Sequence, residues 1–152
     1  GAYPEGAYLD MVLIHNFRLE SEVDVVFKGI EDTSPDMEHI GALAAHILET
    51  GKDLLVLCAG WKNKFNLEDT LFAGALSKQV LQEGGFYTIC DATLGAIDLF
   101  EAADKDMLGY IEKVAQRHRL KKNNLDDVIG YCHETDRTDL IPVLEENSLV
   151  LL

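Results

Sequence analysis

The stretch DLLVLCAGWKNKFNLEDTLFAGAL, residues 53 to 76, decides the fold. Residues 53–60 are nearly all apolar, as in a strand covered on both faces of a parallel sheet. Gly60 closes that run, and a polar loop follows. Asn66 is a good helix N-cap, and Leu67, Leu71, Phe72, Ala75 and Val80 then recur at helical spacing. The pattern predicts a strand over 53–60 and a helix over 67–83, stopped by the glycines at 84 and 85.

The same alternation extends outward in both directions. YLDMVLI (8–14) and VDVVFKG (23–29) read as strands. A helix over 36–49 follows, with Ile40, Leu43, Ala44, Ile47 and Leu48 on one face. Thr33 or Ser34 suits its cap, Pro35 its first turn and Gly51 its end. FYTIC (86–90) reads as a strand, and Asp91 leads into the helix ATLGAIDLFEAA as a plausible N-cap. Asp104 is expected to start another helix, running to about 119. DVIGYC, DLIPVL and SLVLL read as strands, with EEN as a turn. The expected architecture is one α/β domain over 1–152, a three-layer α/β/α arrangement with a largely parallel sheet. Its C-terminal strands are expected at an edge, because Pro142 suits an edge better than a centre.

A chain of 152 residues has room for a real core, and 47% hydrophobic with 26% charged residues is an ordinary globular mix. The formal net charge of −14 excludes non-specific nucleic-acid binding and docking on anionic membranes as leading functions. An anionic ligand would need a local basic patch. No apolar run approaches a membrane span. Cys58, Cys90 and Cys132 are too few and too widely spaced for a disulfide framework or a CxxC metal site, and fit a reducing, cytoplasmic setting.

In open α/β sheets, ligands bind beyond the carboxyl ends of the strands. Glu31 and Asp32 follow the second predicted strand. Gly60, Lys62, Asn63, Asn66, Glu68 and Asp69 follow the third, and Asp91 the fourth. Carboxylates converging on one rim repel each other unless a cation lies among them, and Mg2+ needs only one or two protein carboxylates. A plainer reading stands beside this one: acids in a first helical turn complement the helix dipole without any ligand.

The run RHRLKK (117–122) holds four of the 13 basic residues. It reads either as a helix C-terminus that welcomes cations or as a docking patch for phosphate or sulfonate. Arg117 and Arg119 would face different sides of a helix, so the four cannot all serve one site. Cys58 ends a buried strand beside the rim and is a candidate nucleophile.

These residues together resemble a family. LVLCAGWKNKFNLEDTLFAGAL is similar to the CAG…(S/N)xEDxxxAGA segment of the 2-phosphosulfolactate phosphatases. CDATLGAI resembles that family's SDA stretch, with Asp91 on its aspartate and Cys90 in place of its serine. HRL (118–120) resembles the basic end of its long helix. DDVIGYCHETDRTDLIPVL resembles its ending, which places Cys132, Asp136 and Pro142. The run of matches covers roughly residues 40–144.

The resemblance implies a Mg2+-dependent phosphatase that hydrolyses 2-phospho-3-sulfolactate to sulfolactate and phosphate, a step of coenzyme M synthesis in methanogens. It implies Glu68, Asp69 and Asp91 as metal ligands or catalytic groups. Gly60, Lys62 and Asn66 would line the pocket, and Arg119 would hold a substrate anion. Family members are longer, and their Asp-x-x-Arg-Ala-Thr and Thr-Thr-Asn-Gly-Thr motifs do not occur here. LIHNFR (13–18) stands where the second of these would be, with Asn16 on its asparagine. A part of this fold would leave apolar surface uncovered, so self-association as a homo-oligomer is expected. A non-catalytic α/β module that binds a ligand or partner is the alternative.

Overall fold

The 53–76 stretch folds as its pattern requires: Leu54–Leu57 is a strand and Leu67–Glu83 a 17-residue helix. The computed structural model describes residues 5–12, 26–28, 37–62, 64–145 and 148–151. The expected loop 30–36, with its capping residues Thr33 and Ser34, lies outside them, as do residues 146–147 of the expected EEN turn.

In chain order the strands are β1 (Ala7–Val12), β2 (Val26–Lys28), β3 (Leu54–Leu57), β4 (Phe86–Tyr87), β5 (Pro142–Glu145) and β6 (Ser148–Leu151). The helices are α1 (Ile40–Thr50), α2 (Leu67–Glu83), α3 (Asp91–Asp104), α4 (Met107–Ile111), α5 (Ala115–Lys122) and α6 (Ile129–Cys132). A short 3-10 turn, Met37–His39, leads into α1.

Strands β1 to β4 form one sheet in the order β2-β3-β1-β4, and every pairing in it is parallel. Leu9 pairs with Leu54 and Val12 with Leu57, while Val26 meets Leu55 on the other side of β3. Helices lie on both sides of the sheet, the expected α/β architecture.

One core joins Leu9, Leu54, Val56, Cys58 and Phe86 to Leu43, Ala44 and Ile47 of α1, Ala73, Leu76 and Val80 of α2, and Ala96 of α3. A second joins Met37 and Ile40 to Leu71 and Ala75 of α2, then to Ala103, Ile111, Val114 and Ile129. Helix α2 is therefore the spine, buried on two sides. Its approach to α3 is close at Gly74, where an added Cβ would stand 2.1 Å from the Ala96 carbonyl oxygen. Any side chain there would force the helices apart.

Helix α1 is capped from a distance. The Gly41 N–H donates to Asp136 Oδ1 at 2.7 Å, and the Asp136 N–H donates to the Met37 carbonyl at 3.2 Å. Gly51 ends α1 in the left-handed conformation, φ +59°.

Three expected elements differ. Helix α3 runs through Asp104 instead of ending before it, and no single helix continues to 119. Asp106 breaks the chain: its Oδ1 accepts the Gly109 N–H at 3.1 Å and starts α4, so its side chain competes with helix continuation. DVIGYC is helical at 129–132, not a strand, and Ile129 is the residue it buries in the second core. Strands β5 and β6 pair antiparallel with each other, Pro142 with Leu151 and Glu145 with Ser148, in a two-stranded sheet of their own. Their pairing is local because only two residues separate them in sequence, and among the described residues they do not extend the parallel sheet as edge strands. No helix among the described residues is long and apolar enough to cross a membrane.

Candidate functional site

Beyond β3 the chain makes a tight turn. Gly60 has φ +71°, and a Cβ there would lie 2.5 Å from the Lys64 carbonyl oxygen, so the turn needs glycine. Trp61 and Lys64 exchange both backbone hydrogen bonds, each 3.0 Å, and this closes the loop. The loop is tied to the helix that follows: the Gly60 N–H donates to Asp69 Oδ2 at 2.7 Å. Asn66 caps α2, its Oδ1 accepting the Glu68 N–H at 3.0 Å. Its carbonyl takes the Thr70 hydroxyl at 2.9 Å. Asn66 thus caps α2 as its position predicts, and Glu68 and Asp69 are the second and third helical residues.

The two acids are placed differently. Glu68 is 3% exposed. Burial pushes its carboxyl up to about 7, the nearby Arg119 charge pulls it down, and Asp69 adds to the rise. Asp69 is half-buried and is also raised by burial, against the opposing hydrogen bond from Gly60. The guanidinium carbon of half-buried Arg119 lies 4.4 Å from the centroid of the Trp61 ring, and its Nη2 donates to Gln116 Oε1. Lys62 Nζ lies 5.8 Å from the same ring.

Glu68 and Asp69, adjacent in sequence and both drawn out of water, are hard-oxygen groups within reach of the Arg119 charge. Either acid could supply the one or two protein carboxylates that a largely hydrated Mg2+ needs. Among the described residues, no three His, Cys, Asp or Glu side chains gather as a fuller metal cage.

Asp91 is not drawn into this pair. It is the exposed first residue of α3, and Cys90, not Asp91, occupies the N-cap. Strand β1 lies between β3 and β4, so the rim positions after those strands are two strand spacings apart, about 10 Å. Thr88 fixes the β4 end: its hydroxyl donates to the Leu9 carbonyl at 2.7 Å and accepts the Cys90 N–H at 3.1 Å.

Cys58 is buried, its Sγ 3.6 Å from the Asp69 carbonyl oxygen, and burial pushes the thiol up to about 12. Such a group stays protonated at neutral pH, so its surroundings suit packing and not nucleophilic attack. The basic run divides as helix geometry requires. Arg117 is engaged by Glu112 at 2.8 Å and by Asp126, and Lys121 by Glu112 at 3.1 Å, while Arg119 turns to the loop after β3. Asn16, Glu31, Asp32 and Asn63 lie outside the described residues. The sequence reading passed over Trp61 and Gln116. The signal available was that Trp61 is the chain's single tryptophan, set in a polar loop between Gly60 and Lys62.

A parallel α/β domain with an acidic pair and an arginine on its carboxyl rim has the layout of a small-anion enzyme or binding protein. A family model described as 2-phosphosulpholactate phosphatase matches residues 39–147, and the chain belongs to that family. The matched segment contains every described residue of the site. A probable 2-phosphosulfolactate phosphatase of Gloeobacter violaceus is 32% identical over 105 residues, which are 68% of this chain and 42% of that protein. Another, from Cyanothece sp., is 28% identical over 100 residues, 63% of this chain and 41% of that protein. A third, from Microcystis aeruginosa, is 26% identical over 112 residues, 72% of this chain and 46% of that protein. The chain spans less than half the length of these curated relatives.

Proposed function

We propose that this chain serves the hydrolysis of a small anionic phosphomonoester, with 2-phospho-3-sulfolactate as the substrate its family implies. The observation that carries the reading is buried Glu68 next to half-buried Asp69 at the start of α2, near Arg119 and inside the family-matched segment. Phosphoryl transfer is governed by positioning and charge neutralisation more than by covalent help from the protein.

Glu68 and Asp69 are the residues that would hold Mg2+, which when bound supplies positive charge to the phosphoryl oxygens. Asp69 is fixed for this by the Gly60 N–H. Arg119 holds the second anionic group of the substrate, a carboxylate or sulfonate, through its edge N–H donors. Asp91, on the same rim, orients the attacking water. The water oxygen bonds to phosphorus as the bond to the ester oxygen breaks, and the water proton passes to a rim carboxylate, which then gives it to the leaving alkoxide. A cytoplasmic location and a role in coenzyme M synthesis belong to the same proposal. So does self-association, which exposed apolar side chains such as Leu125, Tyr131 and Leu140 favour. A strict monomer in sedimentation would end that part.

The test is phosphate release from 2-phospho-3-sulfolactate and a panel of phosphomonoesters, with and without Mg2+. Release that requires Mg2+ and falls at least a hundredfold in Asp69→Ala is expected. Wild-type rates in Glu68→Ala, Asp69→Ala and Asp91→Ala alike would refute the assignment. No release from folded protein that still binds anions would make the chain a non-catalytic binding module.

A further inference from the structure

We propose that Trp61 is a positioning residue whose ring holds the Arg119 guanidinium against its face, so that the edge of Arg119 not taken by Gln116 can meet an oxyanion of the ligand. The proposal deepens the phosphatase reading and rests on its view of the rim as an anion site.

The geometry carries it. The guanidinium carbon stands over the Trp61 ring at 4.4 Å from its centroid, within cation–π range. Guanidinium donors lie in the plane, so a stack on the ring restrains tilt without consuming an N–H. One nitrogen is spent on Gln116, and the remaining edge can fork onto a phosphate, sulfonate or carboxylate.

The ring is itself held in place. The reciprocal Trp61–Lys64 hydrogen bonds close the loop, and the Gly60 N–H anchors it to Asp69. A continuous chain therefore runs from Asp69 through Gly60 and Trp61 to Arg119, whose charge acts back on Glu68. The position of the cation is coupled to that of the acidic pair.

Trp61 does little for the core: it is 39% exposed and belongs to neither buried cluster. What it does is gather two cations, Lys62 and Arg119, on one ring in a chain of net charge −14. Arg117, two residues away, shows the contrast, since its guanidinium is committed to Glu112 and Asp126.

The single tryptophan makes the stack observable. The wild-type chain is titrated with inorganic phosphate, methanesulfonate and acetate in the presence of Mg2+. Trp61 emission is followed, and binding is measured independently by calorimetry. We expect a saturable emission change with phosphate or methanesulfonate that Arg119→Ala abolishes. Trp61→Ala should weaken binding roughly three- to thirtyfold, while Trp61→Phe, which keeps a π face, retains most of the affinity. Arg119→Lys should lose affinity despite keeping its charge. In an Arg119→Ala background, Trp61→Ala should have no further effect, a non-additivity that a merely structural role would not produce.

Three results overturn the proposal: no anion binding by the wild type, unchanged binding in Trp61→Ala, or additive effects in the double variant. Phosphate release measured on the same proteins separates the two readings. Stack-dependent anion binding without turnover sinks the phosphatase and leaves the Trp61 role standing. Turnover that Trp61→Ala does not alter does the reverse.

Discussion

Replacing Glu68 by glutamine tests the electrostatics of the site directly. Burial pushes the Glu68 carboxyl from 4.5 to about 7 in the folded chain. Below pH 4.5 both folded and unfolded states carry the proton, and its contribution to stability is complete. Between 4.5 and 7 the unfolded chain releases a proton that the folded chain keeps, so stability falls as pH rises. Above about 7 both states are ionised and the loss is complete. At about 1.4 kcal/mol per unit, the loss is about 3 kcal/mol. Glutamine is nearly isosteric with the protonated acid and stays neutral throughout. Without Mg2+, Glu68→Gln should match the wild type near pH 4.5 and exceed it by about 3 kcal/mol near pH 8. Urea denaturation at a series of pH values reads this difference. The burial and the Gly60 hydrogen bond acting on Asp69 are common to both proteins, while its repulsion of Glu68 is part of the difference being read. With Mg2+ at about a hundred times its dissociation constant, the wild type should regain about 2.7 kcal/mol by mass action, and the variant less. Parallel pH profiles for the two proteins without Mg2+ would refute the claim that Glu68 bears a buried charge.

Two further outcomes are expected. Asp136→Ala removes the acceptor for the Gly41 N–H and should cost about 1–2 kcal/mol in urea denaturation. Asp136→Asn keeps an acceptor and tolerates the φ of +54°, so it should cost much less; equal losses in the two variants would count against the cap. Cys58, with its thiol pushed up to about 12, should escape alkylation at pH 8 in the folded chain, as read by peptide mass mapping. Labelling of Cys58 at the rate of the unfolded chain would show that the thiol is not shielded.

The parts of the fold legible in sequence are those whose causes are local. The apolar run 53–60 and the helical spacing after Asn66 both act within a few residues, and α2 spans 67–83 as its pattern predicts. Its cap was legible for the same reason, because Asn66 and Glu68 are two residues apart. The misread elements depend on contacts made elsewhere. Residues 129–132 carry apolar side chains that suit a strand, yet what fixes them is Ile129 reaching the second core beside Ile111 and Val114. The cap of α1 comes from Asp136, 95 residues beyond Gly41, where no local motif points to it. Arg119 shows the same limit. At 100° per residue, helix geometry already separates it from Arg117. Only the folded chain brings the Trp61 ring to its face.

The question of the acidic pair turns on burial. An acid that merely complements a helix dipole gains its few tenths of a kcal/mol while remaining in water. Asn66 already supplies the cap, and α2 is held on two sides by apolar packing. Glu68 at 3% exposure beside half-buried Asp69 costs the fold more than dipole complementation can return. The cost of burying Glu68 is what the proposed site accounts for and a helix start alone does not: on that reading, a bound cation or Arg119 would offset the charge.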